Sequence, residues 1–186
     1  MVRKANSLCN VRGGYPGEVR VIEIDTPVGT LRTREKYTSY TFGITEYLIK
    51  SVEDLRVFRY LLEHCRVTPV PINLRAPASS IAGPKTPMQA FVVELAGITN
   101  TAFLMTDALW EMEEMMKLIA KIEGKIYEIA ANSEISSVGI CENISSENSG
   151  GYFDRYIGPQ LAEWSNLLHA HGKKTLSIWM EHSSQS

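Results

Sequence analysis

With 186 residues, 44% of them hydrophobic, the chain is long enough for one domain with a real core. Its net charge of −2 supplies no basic face and argues against nucleic-acid binding. No apolar run approaches the roughly 20 residues of a membrane span, and the basic start Met1-Val2-Arg3-Lys4 lacks the apolar stretch of a signal peptide.

In chain order, Val19 to Ile24 has strand character. Thr26-Pro27-Val28-Gly29-Thr30 reads as a turn, because Pro presets φ and Gly tolerates positive φ. Leu31 to Thr41 alternates like an exposed strand, so a β-hairpin is expected. Ser51 caps a helix predicted to run to about Cys65, with Leu55, Phe58, Leu61 and Leu62 on one face. Prolines punctuate the next stretch, within which Ile72 to Ala76 reads as a short buried strand. Thr86-Pro87 places a cap before a proline at the first helical position, and Gln89 to Ala96 reads as helix, stopping at Gly97. A long helix is predicted from Thr106 to about Ala131, a buried strand from Ile135 to Cys141, a helix from Tyr152 to Ala170 and a strand from Leu176. Strand alternating with helix from Ile72 onward argues a parallel sheet with crossover helices, either an open doubly wound sheet or part of a barrel.

Cys9, Cys65 and Cys141 are odd in number and far apart, so neither a disulfide framework nor a Cys-x-x-Cys knuckle is expected. A reducing cytoplasm is the simplest location. Glu142 and Asn143 follow a predicted buried strand, where α/β folds put their chemistry. Glu142 is the candidate for acid/base work or for holding a substrate group or a metal-bound water; a solvated loop carboxylate is the plainer alternative. Gln89 and Tyr156 are candidates for lining a substrate pocket. His169 and His171 suit a helix C-terminus, and Met112, Met115 and Met116 suit core packing. Gly83-Pro84-Lys85-Thr86 lacks the glycine spacing of a phosphate loop. No set of metal ligands stands at a telling spacing in the chain as written.

The order of these motifs resembles the uroporphyrinogen decarboxylase superfamily. Thr26-Pro27-Val28-Gly29-Thr30 is similar to its hairpin, and Ile49-Lys50-Ser51-Val52-Glu53-Asp54 to the start of its helix. Gly83-Pro84 through Gly97 resembles its glycine-proline loop and helix, Gly150 to Pro159 a later helix, and His169-Ala170-His171-Gly172-Lys173 the turn before about the sixth strand. The resemblance spans about Val19 to Leu176. It implies a (β/α)8 barrel with its site at the C-terminal face of the strands. A complete barrel needs about 250 residues, so residues 1–186 are expected to be an incomplete barrel domain, a partial TIM barrel with an N-terminal β-hairpin.

Two activities go with that resemblance. One is cofactor-free decarboxylation of uroporphyrinogen in porphyrin biosynthesis. Its Arg-Gln-Ala-Gly-Arg motif and early aspartate are absent, and Asn143 stands where its serine would be. The other is methyl transfer between a corrinoid and a small thiol, with zinc held by His-x-Cys and a distant Cys. The expectation is the methyltransferase-like branch: a small-molecule substrate, zinc and a corrinoid in the intact protein, a corrinoid protein as partner, and a homodimer. An inactive remnant without catalysis is the reading from another class.

The last ten residues, Ser177 to Ser186, break the domain-like pattern. Trp179 and Met180 have one codon each, and Trp-Met-Glu read from the third base contains Asp-Gly. Permitted codons extend that frame to His-Met-Asp-Gly, whose His falls at Ile178, six residues after Gly172, where the family pattern has its histidine. A frameshift near Ser177, with residues 176–186 as an out-of-frame tail, is therefore expected.

Overall fold

The computed structural model describes residues 2–5, 10–14, 19–37, 41–69 and 80–178. The expected strand at Ile72 to Ala76, Cys9 and the tail from Trp179 lie outside them. The chain divides into two compact units, Ala5–Arg66 with Phe91–Leu118, and Met1–Lys4 with Val67–Ala90 and Ile119–Ser186.

The first unit holds an antiparallel sheet in the order β2-β3-β4-β5, with β2 Asn10–Gly14, β3 Val19–Thr26, β4 Gly29–Tyr37 and β5 Phe42–Glu46. The expected hairpin is present, closed by Thr26 opposite Gly29. The Thr26 hydroxyl donates to the Gly29 carbonyl at 2.7 Å and accepts from the Val28 N–H at 3.2 Å, while Thr30 donates to the Asp25 carboxylate at 3.0 Å. Gly29 has a φ of 145°, and a Cβ there would sit 2.8 Å from a Val57 methyl, so the turn requires glycine. Strands β2 and β5 were not anticipated; their short sequences carry too little alternation to stand out from turn.

Helix α1, Val52–Glu63, is capped as expected: the Ser51 hydroxyl accepts from the Asp54 N–H at 3.2 Å. Asp54 reaches back to accept the Lys50 N–H at 2.8 Å, so the Ser51 hydroxyl quenches one orphan donor of the helix while the Asp54 carboxylate fixes the residue before the cap. The buried residues of α1 are Leu55 and Val57, whereas Phe58, Leu61 and Leu62 are only half-buried.

The expected stop at Gly97 is a bend between helices. A π-helical segment, Phe91–Leu95, closes with the Ala96 N–H on the Phe91 carbonyl at 2.9 Å. Gly97, at a φ of 76°, then opens α3, Gly97–Asp107. Helix α3 was not anticipated because β-branched Ile98, Thr99 and Thr101 depress helix propensity. Helix α4, Leu109–Ala131, starts slightly later than expected. Met112, Met115 and Met116 are buried in it.

The second unit is built on three parallel strands, β7 Ser80–Gly83, β8 Ser137–Cys141 and β9 Lys174–Ile178, lying side by side in chain order. Strand β8 is central and buried at Ser137 through Ile140, as a parallel strand covered on both faces must be. Its Val138 and Ile140 join Tyr127, Ala130 and Ala131 of α4 and Trp164 and Leu168 of α6, Gly158–Ala170, in one core. Tyr127 and Trp164 stack with ring centroids 4.3 Å apart. Strand β6, Arg66–Pro69, pairs with β1, Val2–Ala5.

The single helix expected from Tyr152 to Ala170 is four pieces: α5 Ser146–Ser149, a 3-10 turn Gly150–Tyr152, a π-helical segment Phe153–Ile157, and α6. Pro159 explains the widening. Its missing N–H and its ring oppose an α-helical bond to the carbonyl four residues earlier, and a π turn accommodates both. The His171 ring bonds the Leu167 carbonyl at 2.9 Å in the last turn of α6, the terminal role expected of it. The fold is α/β, and among the described residues no sheet closes into a barrel. Among them, no helix is long and apolar enough to cross a membrane.

Candidate functional site

Parallel strands in α/β folds present their carboxyl ends to ligands. In this chain the segments leaving those ends are Pro84-Lys85-Thr86 after β7 and Glu142 to Ser145 after β8. They meet through buried polar bonds. Glu142, 5% exposed, accepts the Thr86 N–H on Oε1 at 2.6 Å and the Thr86 hydroxyl on Oε2 at 3.2 Å. The Thr86 side chain, expected to cap its own helix, therefore donates across to the neighbouring strand's loop. Pro87 does open α2, Pro87–Ala90, as expected.

Next to this pair, Lys85 Nζ donates to the Cys141 carbonyl and, at 3.3 Å, to Asn143 Oδ1. Lys85 and Asn143 are both half-buried. In the first turn of α2, Gln89 is fully buried and donates its amide to the Ser149 hydroxyl at 2.7 Å. Among the described residues Gln89 Oε1 has no hydrogen-bond partner. Below the cluster, the Tyr127 hydroxyl donates to the Pro84 carbonyl at 2.6 Å. That reach requires Gly83, since a Cβ there would lie 2.6 Å from the Tyr127 oxygen. Burial, followed by the charges of Glu142 and Glu123, pushes the Tyr127 phenol well above its ordinary value.

Three of the expected site residues, Glu142, Asn143 and Gln89, thus fall in one cluster. Tyr156 lies on the π-helical segment, half-buried, with the Arg155 guanidinium 5.1 Å from its ring centre and the Tyr152 ring 6.4 Å away. That segment packs on α2, the helix carrying Gln89. Lys85, Thr86 and Ser149 were missed. The signal for the first two was Gly83-Pro84-Lys85-Thr86, which loses its meaning unless β7 is recognised ahead of it. With Ile81 the one large apolar residue in its four positions, β7 gives no pattern to recognise. Ser149 carried no sequence signal.

Both oxygens of Glu142 accept from Thr86, which joins the β7 and β8 loops. Among the described residues no three His, Cys, Asp or Glu side chains converge. Compared with protein-family models, with curated proteins and with solved structures, the chain matches none.

Proposed function

We propose that this chain is part of a uroporphyrinogen-decarboxylase-like (β/α)8 barrel, of the methyltransferase-like branch, that takes a small substrate at the carboxyl ends of its parallel strands. The observation that carries the reading is the order β7-β8-β9, all parallel and sequential, with Lys85-Thr86 and Glu142-Asn143 at the carboxyl ends of β7 and β8. A barrel is built from such βα steps repeated in one direction. The motifs behind the resemblance also occupy fitting elements. Thr26 to Thr30 makes the hairpin, Ser51 to Asp54 starts α1, and His171-Gly172 forms the turn before β9.

In this reading Glu142 is a positioning residue that fixes Thr86 and α2. Asn143 and Gln89 are the polar groups that meet substrate, and Tyr156 belongs to the wall behind α2. A corrinoid protein and a second copy of the chain are the partners that go with it.

The test is a titration of the purified chain with methylcobalamin, followed by visible absorbance, beside an assay for loss of carboxyl groups from uroporphyrinogen. The proposal expects a saturable corrinoid spectral change and no decarboxylation. Decarboxylation without that change would transfer the chain to the decarboxylase branch. Neither signal would leave a protein without catalysis.

A further inference from the structure

We propose that Lys85 forms an anion subsite, binding one carboxylate or phosphoryl oxyanion of the substrate; this rests on placing that substrate at the carboxyl ends of β7 and β8. Lys85 is half-buried, yet its hydrogen-bond partners are neutral: the Cys141 carbonyl and Asn143 Oδ1. Among the described residues no carboxylate is ion-paired with it. Glu142, adjacent to both Cys141 and Asn143, turns its two oxygens to Thr86 at 2.6 and 3.2 Å. An ammonium carries three donors, so the two neutral acceptors leave a third N–H. Partial burial of a charge without a counter-ion is unfavourable, and an arriving oxyanion relieves it.

Other lysines mark the contrast. Lys50 pairs with Glu46 and Lys117 with Glu114. Lys173 also bonds a neutral acceptor, the Ser133 carbonyl, but it precedes β9 at the amino end of the strands, away from where such sheets bind ligands. Lys85 alone of these four combines a neutral hydrogen-bond set with the carboxyl end.

The experiment titrates the whole chain with inorganic phosphate and, separately, with malonate, following the Thr86, Glu142 and Asn143 amides by NMR. Saturable shifts that weaken with added sodium chloride are expected. Lys85→Met should weaken binding about tenfold or more, and Lys85→Arg should hold it within about threefold. Preference for phosphate would name a phosphoryl substrate, and preference for malonate a carboxylate. If the wild-type amides show no saturable, salt-sensitive shift, the proposal is overturned whether or not Lys85→Met folds. Equal affinity in a folded Lys85→Met overturns it as well. Methylcobalamin added to the same sample separates the failures: a corrinoid change without anion binding removes the Lys85 subsite alone, and loss of both removes the site reading with it.

Discussion

Glu142 and Tyr127 show how two buried polar side chains hold the strand ends in place. In Glu142→Gln, one oxygen becomes an NH2 facing a Thr86 donor. The charge-assisted bond to the Thr86 N–H is also weakened. A stability loss of about 1.5–3 kcal/mol is expected, read as a lower urea midpoint with an unchanged slope. An unchanged midpoint would show that the carboxylate does not hold Thr86. Tyr127 has a signature in alkali. The native phenol is held protonated above its ordinary value of 10.0, mainly by burial, while the unfolded chain ionises at the ordinary value. Above that value the unfolded state releases a proton that the native state keeps. The contribution is therefore complete below pH 10 and is lost as pH rises past it, by about 1.4 kcal/mol per pH unit. Tyr127→Phe should remove this part of the slope and, near neutral pH, cost about 1 kcal/mol for the bond to Pro84. Urea unfolding of both proteins on either side of pH 10 decides it; parallel pH profiles would refute the assignment.

At the scale of elements, bends and caps dominate. Gly97 combines a φ of 76° with a Tyr47 ring lying against it where a Cβ would point. Gly97→Ala meets both penalties and should cost more than about 1 kcal/mol. Combining it with Tyr47→Ala relieves the contact but not the backbone strain. A Gly97→Ala protein as stable as wild type by thermal unfolding would mean that the π-helical segment and α3 can re-aim without that bend. The break before Pro159 has a comparable local cause, since one missing N–H widens the turn that precedes α6. The widened turn before Pro159 needs no distant partner, whereas the bend at Gly97 combines a local backbone requirement with the Tyr47 ring from another part of the chain.

For the molecule as a whole, the order of the parallel strands carries the functional argument. Strand β8 is bonded on both sides, by β7 and by β9, and its side chains are buried on both faces. Amide exchange is therefore expected to be slowest at Val138, Gly139 and Ile140, and faster in β9. Exchange in β8 as fast as in β9 would contradict the pairing on which the site rests. The core of Tyr127, Trp164 and Leu168 against β8 holds the strand whose carboxyl end presents Glu142 and Asn143. Apolar packing thus sets where that cluster can form, and Tyr127 joins the two through its bond to the Pro84 carbonyl.

By itself, the sequence determined the features whose chemistry closes within a few residues. Thr26 to Thr30 is a hairpin because Pro and Gly preset the turn, Ser51 caps α1 with its own hydroxyl, and the strand expected from Ile135 to Cys141 forms, buried, from Ser137. Only the tertiary structure decided β7, which becomes a strand through its pairing with β8 rather than through any pattern in Ser80-Ile81-Ala82-Gly83. It also decided that Glu142 bonds Thr86. The residue was legible as a polar group at a strand end, but its partner Thr86 lies 56 positions away. Local preference acts between neighbours in the chain; a buried carboxylate takes the donor that folding brings to it.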